Sequence, residues 1–155
     1  MPPAARSSPA TAVILVALLL ACGCFGGGAS TAAGPTRPQF IARAVAICAR
    51  YQHRIDALPK AGDLSGLAAA GRRAIALERA ELRDLRALTP PPADRRSAAR
   101  LLDSLQGAIA AGDHLVDDAT AGNRAAVAAD APDLSSLRLR TNRLAEPFRL
   151  GTCAG

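Results

Sequence analysis

The residues in this sequence that are best suited to chemistry are four closely spaced polar side chains: Asp113, His114, Asp117 and Asp118. If the segment is helical, positions 114, 117 and 118 fall on one face, so an imidazole and two carboxylates could converge on a metal ion. Polar residues near a helix end are more often simply solvated, and the Glu-x-x-His motifs of di-iron bundles are absent. We therefore predict no metal, and keep His114, Asp117 and Asp118 as the candidate ligands should one bind.

Other kinds of chemistry lack the residues that they need. Met1 is the single methionine and no Cys-x-x-Cys-His motif occurs, so Met/His and c-type haem ligation are excluded. The glycines at 26–28 have no following lysine and therefore do not form a phosphate-binding loop. The serines lack the flanking glycines of a nucleophile elbow. We predict that the protein is not an enzyme and that it carries no cofactor.

The N-terminal segment has the pattern of an export signal. Arg6 precedes an apolar run over residues 12–21, which is shorter than the roughly 20 residues of a transmembrane helix. The run ends in Leu19-Leu20-Ala21-Cys22, which resembles the lipobox of bacterial lipoproteins. The resemblance implies a signal peptide over residues 1–21, cleavage before Cys22 and a diacylglyceryl group on its sulfur. We expect an exported protein anchored on the extracytoplasmic side of the membrane, with ordinary secretory cleavage and release as the alternative.

The lipidated cysteine is predicted to begin a flexible linker over residues 22–36, followed by a helical domain over 37–155. The linker is rich in glycine, alanine and serine, and a coil of this length spans roughly 20 Å. Each buried methylene contributes about 0.8 kcal/mol, so two acyl chains suffice for stable anchoring. The domain would therefore stay close to the membrane, where it could contact anionic phospholipid headgroups or another envelope protein.

Two cysteines, Cys48 and Cys153, lie within the predicted domain. Disulfides form and persist in the compartments that exported proteins enter. Their simplest pairing joins the first helix to the last residues of the chain, and closing a loop of about 100 residues contributes roughly 4–5 kcal/mol. The alternative is a pair of buried free thiols.

Apolar residues recur every three or four positions in successive segments of the domain, which predicts helices. Capping residues mark the predicted starts, and proline or glycine marks the ends. The fourth segment is predicted to be divided, with a short helix ending at Pro132 before the main one. The predicted boundary residues are Thr36 with Gln39, Pro59, Asp63, Pro90, Pro92, Asn123, Pro132 and Gly151.

The composition supports an all-α fold. The chain holds 37 alanines and only 3% aromatic residues, so helix-forming residues dominate and the aromatics that favour strands are scarce. Four helices joined by short connections favour an antiparallel up-down four-helix bundle. In that arrangement the start of the first helix and the end of the fourth lie at the same end of the bundle.

The chain is basic, with a formal net charge of +6, and all but one of its 19 bases are arginines. Nucleic acid is not the expected partner, because the bases are spread along helices and stacking aromatics are nearly absent. Anionic lipid headgroups suit such a charge better. The favoured alternative is that the arginines are solvated or form pairs within helices, as Arg100–Asp103 and Arg143–Glu146 could.

Three segments of the domain resemble small uncharacterised exported helical proteins of high-GC actinobacteria. They are residues 40–50, Leu88-Thr89-Pro90-Pro91 and Leu150-Gly151-Thr152-Cys153. The resemblance supports export and the disulfide, and it implies no catalytic residue. We expect an interaction or structural module of the cell envelope, with an exported bundle that binds a small ligand or a metal as the alternative.

Overall fold

A computed structural model describes residues 34–151, which form four α-helices. The helices are α1 (Arg37–Asp56), α2 (Leu64–Arg86), α3 (Arg95–Thr120) and α4 (Arg124–Ala145). Short 3-10 helices, Pro92–Asp94 and Glu146–Phe148, precede α3 and follow α4. The described part contains no strand, which confirms the predicted all-α class. The predicted signal peptide and nearly all of the linker lie outside these residues.

The helices begin where the capping residues predicted them. The Asp63 carboxylate accepts a hydrogen bond from the Gly66 amide at 2.7 Å, so it satisfies one of the free N–H groups at the start of α2. The Asn123 side chain accepts from the Ala126 amide at 3.1 Å in the same way. The starts predicted after Asp63 and at Arg124 are confirmed, and Asn123, which was predicted only to end the third segment, is also the cap of α4.

The predicted break at Pro132 is wrong, because α4 continues through this residue. A proline removes one backbone hydrogen bond and crowds the carbonyl four residues earlier, which here belongs to Ala128. Both Pro132 and Ala128 are exposed, so water can reach the carbonyl that loses its partner. After the proline, α4 packs into the domain through the buried residues Thr141 and Ala145, and this packing outweighs the local cost.

The predicted end at Gly151 is also wrong, because the chain turns two residues earlier. Arg149 has a φ of 56°, the left-handed conformation that commonly ends a helix, and the Leu150 amide donates to the Ala145 carbonyl at 3.2 Å. Leu150 is 2% exposed. Burial of this leucine compensates for the use of an arginine where a glycine is the usual residue.

The core holds the apolar faces of all four helices. Most of its residues lie at the apolar positions, three or four apart, that predicted the helices. At one end, the rings of Phe40 and Phe148 lie edge to face with their centroids 5.9 Å apart. The buried apolar cluster comprises Phe40, Ala44, Cys48, Ile75, Leu82, Leu85, Ala98, Leu101, Leu105, Ile109, Val116, Ala145, Phe148 and Leu150. None of the described helices is long and apolar enough to cross a membrane.

Three side-chain hydrogen bonds spaced seven residues apart join α2 to α3. In order along α2 they are Arg72 to Thr120, Arg79 to Asp113 and Arg86 to Gln106. Positions rise by seven on α2 while they fall by seven on α3, so the two helices run in opposite directions where they touch. The regular spacing fixes one register between them.

The ion pairs of the described residues connect different elements rather than neighbours on one helix. They are Arg37–Asp94, Arg50–Asp84, Arg79–Asp113 and Arg138–Glu78. The predicted pairs within helices, Arg100–Asp103 and Arg143–Glu146, are therefore wrong. Exposed pairs within one helix contribute only a few tenths of a kcal/mol, so the freedom of these side chains in water prevails.

Candidate functional site

A pocket of about 160 Å³ lies between the four helices and is the candidate site. Its lining combines an apolar wall with a small number of polar groups, the usual composition of a small-molecule site. The lining residues are Gln52 and Ile55 of α1; Ala74, Glu78, Glu81 and Leu82 of α2; Leu105, Ala108 and Ile109 of α3; and Arg138 and Thr141 of α4.

Glu81 is the unusual member of this lining. The residue is 5% exposed, and its Oε1 atom is buried without a hydrogen-bond partner. Burial raises the pKa of this carboxyl from 4.5 to about 8, and the negative charge of Glu78 adds to the effect. Nearly all buried polar groups in proteins are hydrogen-bonded. Glu81 also lines the pocket, so its carboxyl is the group there that lacks a partner and that a ligand could bind.

Glu78, one turn before Glu81, is held by an arginine from another helix. The Arg138 guanidinium of α4 donates to Glu78 at 3.0 Å. Burial raises the pKa of Glu78, the Arg138 charge opposes this change, and Asp113 of α3 reinforces it. The Glu78 side chain is 20% exposed and the Arg138 side chain is 39% exposed, so this ion pair lies nearer to solvent than Glu81 does.

The hydroxyl groups near the pocket have their partners already. Thr141 donates to the Leu137 carbonyl at 3.0 Å, and its oxygen lies 2.8 Å from the hydroxyl oxygen of Ser104. Since Thr141 uses its single proton on the carbonyl, Ser104 is the donor to it. Neither hydroxyl is placed to donate to Glu81, so that carboxyl keeps its free oxygen.

The metal candidates predicted from the sequence are not brought together. His114 and Asp117 are exposed and Asp118 is half-buried, while Asp113 forms the ion pair with Arg79. The described residues contain no group of three or more His, Cys, Asp or Glu side chains that could hold a metal ion. The turn of α3 that carries them thus serves the contact with α2 and the solvated end of the helix.

The predicted cysteine sites lie mainly outside the described residues. Cys22, the predicted lipid attachment site, and Cys153, the predicted disulfide partner, both fall there. Cys48 is fully buried in the core, on the same face of α1 as Phe40 and Ala44. The lipid and the disulfide stay predictions.

Sequence reasoning missed Glu81, although the chain carries a signal for it. Glu81 lies seven residues after Ala74 and four before Leu85, so it shares the inward-facing stripe of α2. A carboxylate on such a stripe is rarely buried without a partner. The position of Glu81 among inward-facing apolar residues could therefore have predicted a pocket with a polar group.

Comparison with known proteins gives this site no precedent. No family model matches the chain, and neither a curated protein nor a solved structure is significantly similar to it.

Proposed function

We propose that this chain is an exported lipoprotein, anchored through Cys22 on the extracytoplasmic side of the membrane, whose helical domain binds a small organic ligand. The observation that carries ligand binding is the unpartnered Glu81 carboxyl in the lining of the pocket. A buried polar group without a partner costs about 1–3 kcal/mol. A ligand that donates a hydrogen bond to Glu81 would remove this cost, and its apolar part would cover the leucine and isoleucine wall.

We also propose that the four helices form an antiparallel up-down bundle. The opposed numbering of the α2–α3 hydrogen bonds supports it, as does the Arg37 guanidinium of α1, which donates to the Pro147 carbonyl after α4 at 2.8 Å. In this arrangement the pocket receives residues from every helix, and α1 and α4 begin and end at a shared end of the bundle.

The same end of the domain supports a disulfide between Cys48 and Cys153. Ala44 and Leu150 line one small apolar gap between the helices. Cys48 is one turn beyond Ala44 on α1, and Cys153 follows Leu150 by three residues, a stretch that can extend about 10 Å. The chain is therefore long enough for the two sulfur atoms to meet.

A role as an interaction module of the envelope is the second candidate. The observation in its favour is Leu139 of α4, which is 58% exposed between Arg138 and Arg140. A stable interface buries about 800 Å² on each partner, far more than one leucine offers. Single exposed apolar residues are ordinary on protein surfaces, so we rank ligand binding first.

Native mass spectrometry of the full-length protein, purified from membranes in mild detergent, tests ligand binding. We expect a small molecule in stoichiometric amount, lost from the variant Glu81→Leu, which fills the space with a side chain of similar volume. The exposed variant Asp117→Asn is the matched control and should keep the ligand. Ligand-free protein, together with no thermal stabilisation by any member of a small-molecule panel, would contradict the proposal.

The anchor is tested separately. Cys22→Ser should abolish incorporation of labelled palmitate and release the protein from the membrane fraction, whereas Cys24→Ser should change neither. A Cys22→Ser protein that remains membrane-bound and labelled would contradict lipidation at this residue.

A further inference from the structure

The charges around the pocket leave one negative group uncompensated when Glu81 is ionised. From α2, Glu78 and Glu81 face the pocket, and from α4 Arg138 faces it in an ion pair with Glu78. From α1 comes Gln52, which carries no charge, and Asp113 of α3 acts on Glu78 while it binds Arg79. Since these pairs neutralise each other, the remaining charge of the site is that of Glu81, and one positive charge on a ligand would balance it.

The hydrogen-bonding state of Glu81 shows what kind of positive group suits the site. An ionised carboxylate accepts hydrogen bonds and donates none, so the Glu81 carboxylate, which has no partner for Oε1, needs an N–H or O–H donor. None of the residues lining the pocket is aromatic, so the site lacks the ring faces that bind quaternary ammonium groups. A primary or secondary ammonium group, which has both the charge and the donors, fits this site best.

The remaining lining sets the size and character of the rest of the ligand. Six apolar side chains form the wall: Ile55, Ala74, Leu82, Leu105, Ala108 and Ile109. Cavities of about 150 Å³ hold one benzene ring, and the pocket measures about 160 Å³. The apolar part of the ligand is therefore roughly the size of a single six-membered ring.

We infer that the pocket binds a small organic amine, whose ammonium group donates a hydrogen bond to Glu81 and whose apolar body of about six to eight heavy atoms packs against the aliphatic wall. This inference rests on the proposed ligand-binding function and adds the chemical class of the ligand. Binding and ionisation of Glu81 are coupled, because the ammonium group pairs with the charged carboxylate while the empty pocket favours the neutral form. Binding near neutral pH therefore releases one proton.

Isothermal titration calorimetry on the full-length protein in detergent tests the ligand class with four probes of similar size. Benzylamine carries both charge and N–H donors, benzyl alcohol is neutral, benzyltrimethylammonium has charge without N–H donors, and benzoate is negative. We expect benzylamine to bind at least about tenfold more tightly than each of the others, since it alone can make a charge-assisted hydrogen bond to Glu81. Its affinity should rise about tenfold per pH unit between about pH 6 and 8, with proton release shown by titration in buffers of different ionisation enthalpy.

Two variants locate the effect. Glu81→Gln should reduce the preference for benzylamine over benzyl alcohol to less than about threefold and remove proton release, whereas the exposed Asp117→Asn should keep both. Circular dichroism of each variant verifies the helical fold before the titration.

The outcomes separate this inference from the proposed function. Equal binding of benzylamine and benzyl alcohol, or a neutral or acidic molecule found in the natively purified protein, would overturn the amine class while leaving ligand binding in place. Absence of binding by every probe, together with ligand-free native protein, would overturn both. Retention of the preference for benzylamine in Glu81→Gln would show that the amine binds elsewhere and would also overturn the inference.

Discussion

The replacement Glu81→Gln should stabilise the empty protein, and more so as the pH rises. The pKa of Glu81 is raised by folding from 4.5 to about 8, so the folded state holds a proton that the unfolded state releases. By linkage, the free energy of unfolding falls as the pH rises from about 4.5 to about 8. Glutamine keeps the shape of the side chain and cannot ionise, so the variant escapes this loss.

The magnitude follows from the pKa change. One pKa unit corresponds to 1.36 kcal/mol, so the change from 4.5 to about 8 gives up to about 5 kcal/mol above pH 8. At pH 7 the same relation gives roughly 3 kcal/mol, and at pH 5 less than about 1 kcal/mol. Water that enters through the pocket mouth lowers these values, so we expect about 2–5 kcal/mol between the two proteins at pH 9.

Urea unfolding followed by far-UV circular dichroism measures the difference at about pH 5, 7 and 9. Comparison of the variant with the parent at each pH cancels most of the contributions of the other titratable groups. Asp117→Asn, which removes an exposed carboxylate, is the control and should show a difference that changes little with pH. A Glu81→Gln difference that stays constant from pH 5 to pH 9 would refute the reasoning, because it would mean that Glu81 is ionised in the folded protein at no unusual cost.

Three further predictions test the fold. A Cβ at Gly71 would lie 2.5 Å from Val116 Cγ2, so Gly71→Ala should destabilise the protein by about 1 kcal/mol. A Cβ at Gly107 would meet no atom within 4 Å, so Gly107→Ala should stabilise it by about 0.5–1 kcal/mol. Chemical denaturation distinguishes the two variants, and equal effects would contradict close packing of α2 against α3. Asn123→Ala should cost about 1 kcal/mol through loss of the helix cap, which thermal unfolding measures; an unchanged midpoint would contradict the cap. Non-reducing peptide mapping should recover the peptides of Cys48 and Cys153 joined; free thiols at both would exclude the disulfide.

Much of the fold could be predicted from the sequence because local signals and burial agree. Asp63 and Asn123 stand directly before apolar periodic segments, and both cap the helices that follow. Most of the buried residues, such as Ile75 and Leu105, lie on the predicted stripes. In these places the local signals for the helix ends and the burial of the apolar positions favour the same structure.

The errors occur where tertiary packing overrides a local preference. Pro132 stays inside α4 because the helix continues to the buried residues Thr141 and Ala145, and Arg149 takes the left-handed conformation because Leu150 after it is buried. The pairing of arginines across helices depends on which helices are neighbours, information that spacing along one helix does not contain.

The site was the least predictable part. Its ionisable groups, Glu78, Glu81 and Arg138, are spread over α2 and α4 and form no motif. Their chemistry arises from burial and from the distance between two helices, neither of which the order of residues reveals. The spaced polar residues that did form a pattern, His114 and Asp117 among them, lie on the solvated side of α3.

The two glycines at the contact of α2 with α3 restrict how these helices can move. Val116 occupies the space that a Cβ at Gly71 would need, and Ile75 occupies the space that a Cβ at Gly112 would need. Each helix therefore supplies one glycine gap and one side chain that fills the gap of the other helix. A slide by one turn, about 5.4 Å, would bring Val116 and Ile75 against residues that carry a Cβ and that leave no such gap. Glu78 and Glu81 of α2 therefore keep a fixed position along the helix axis relative to the apolar residues that α3 contributes to the pocket.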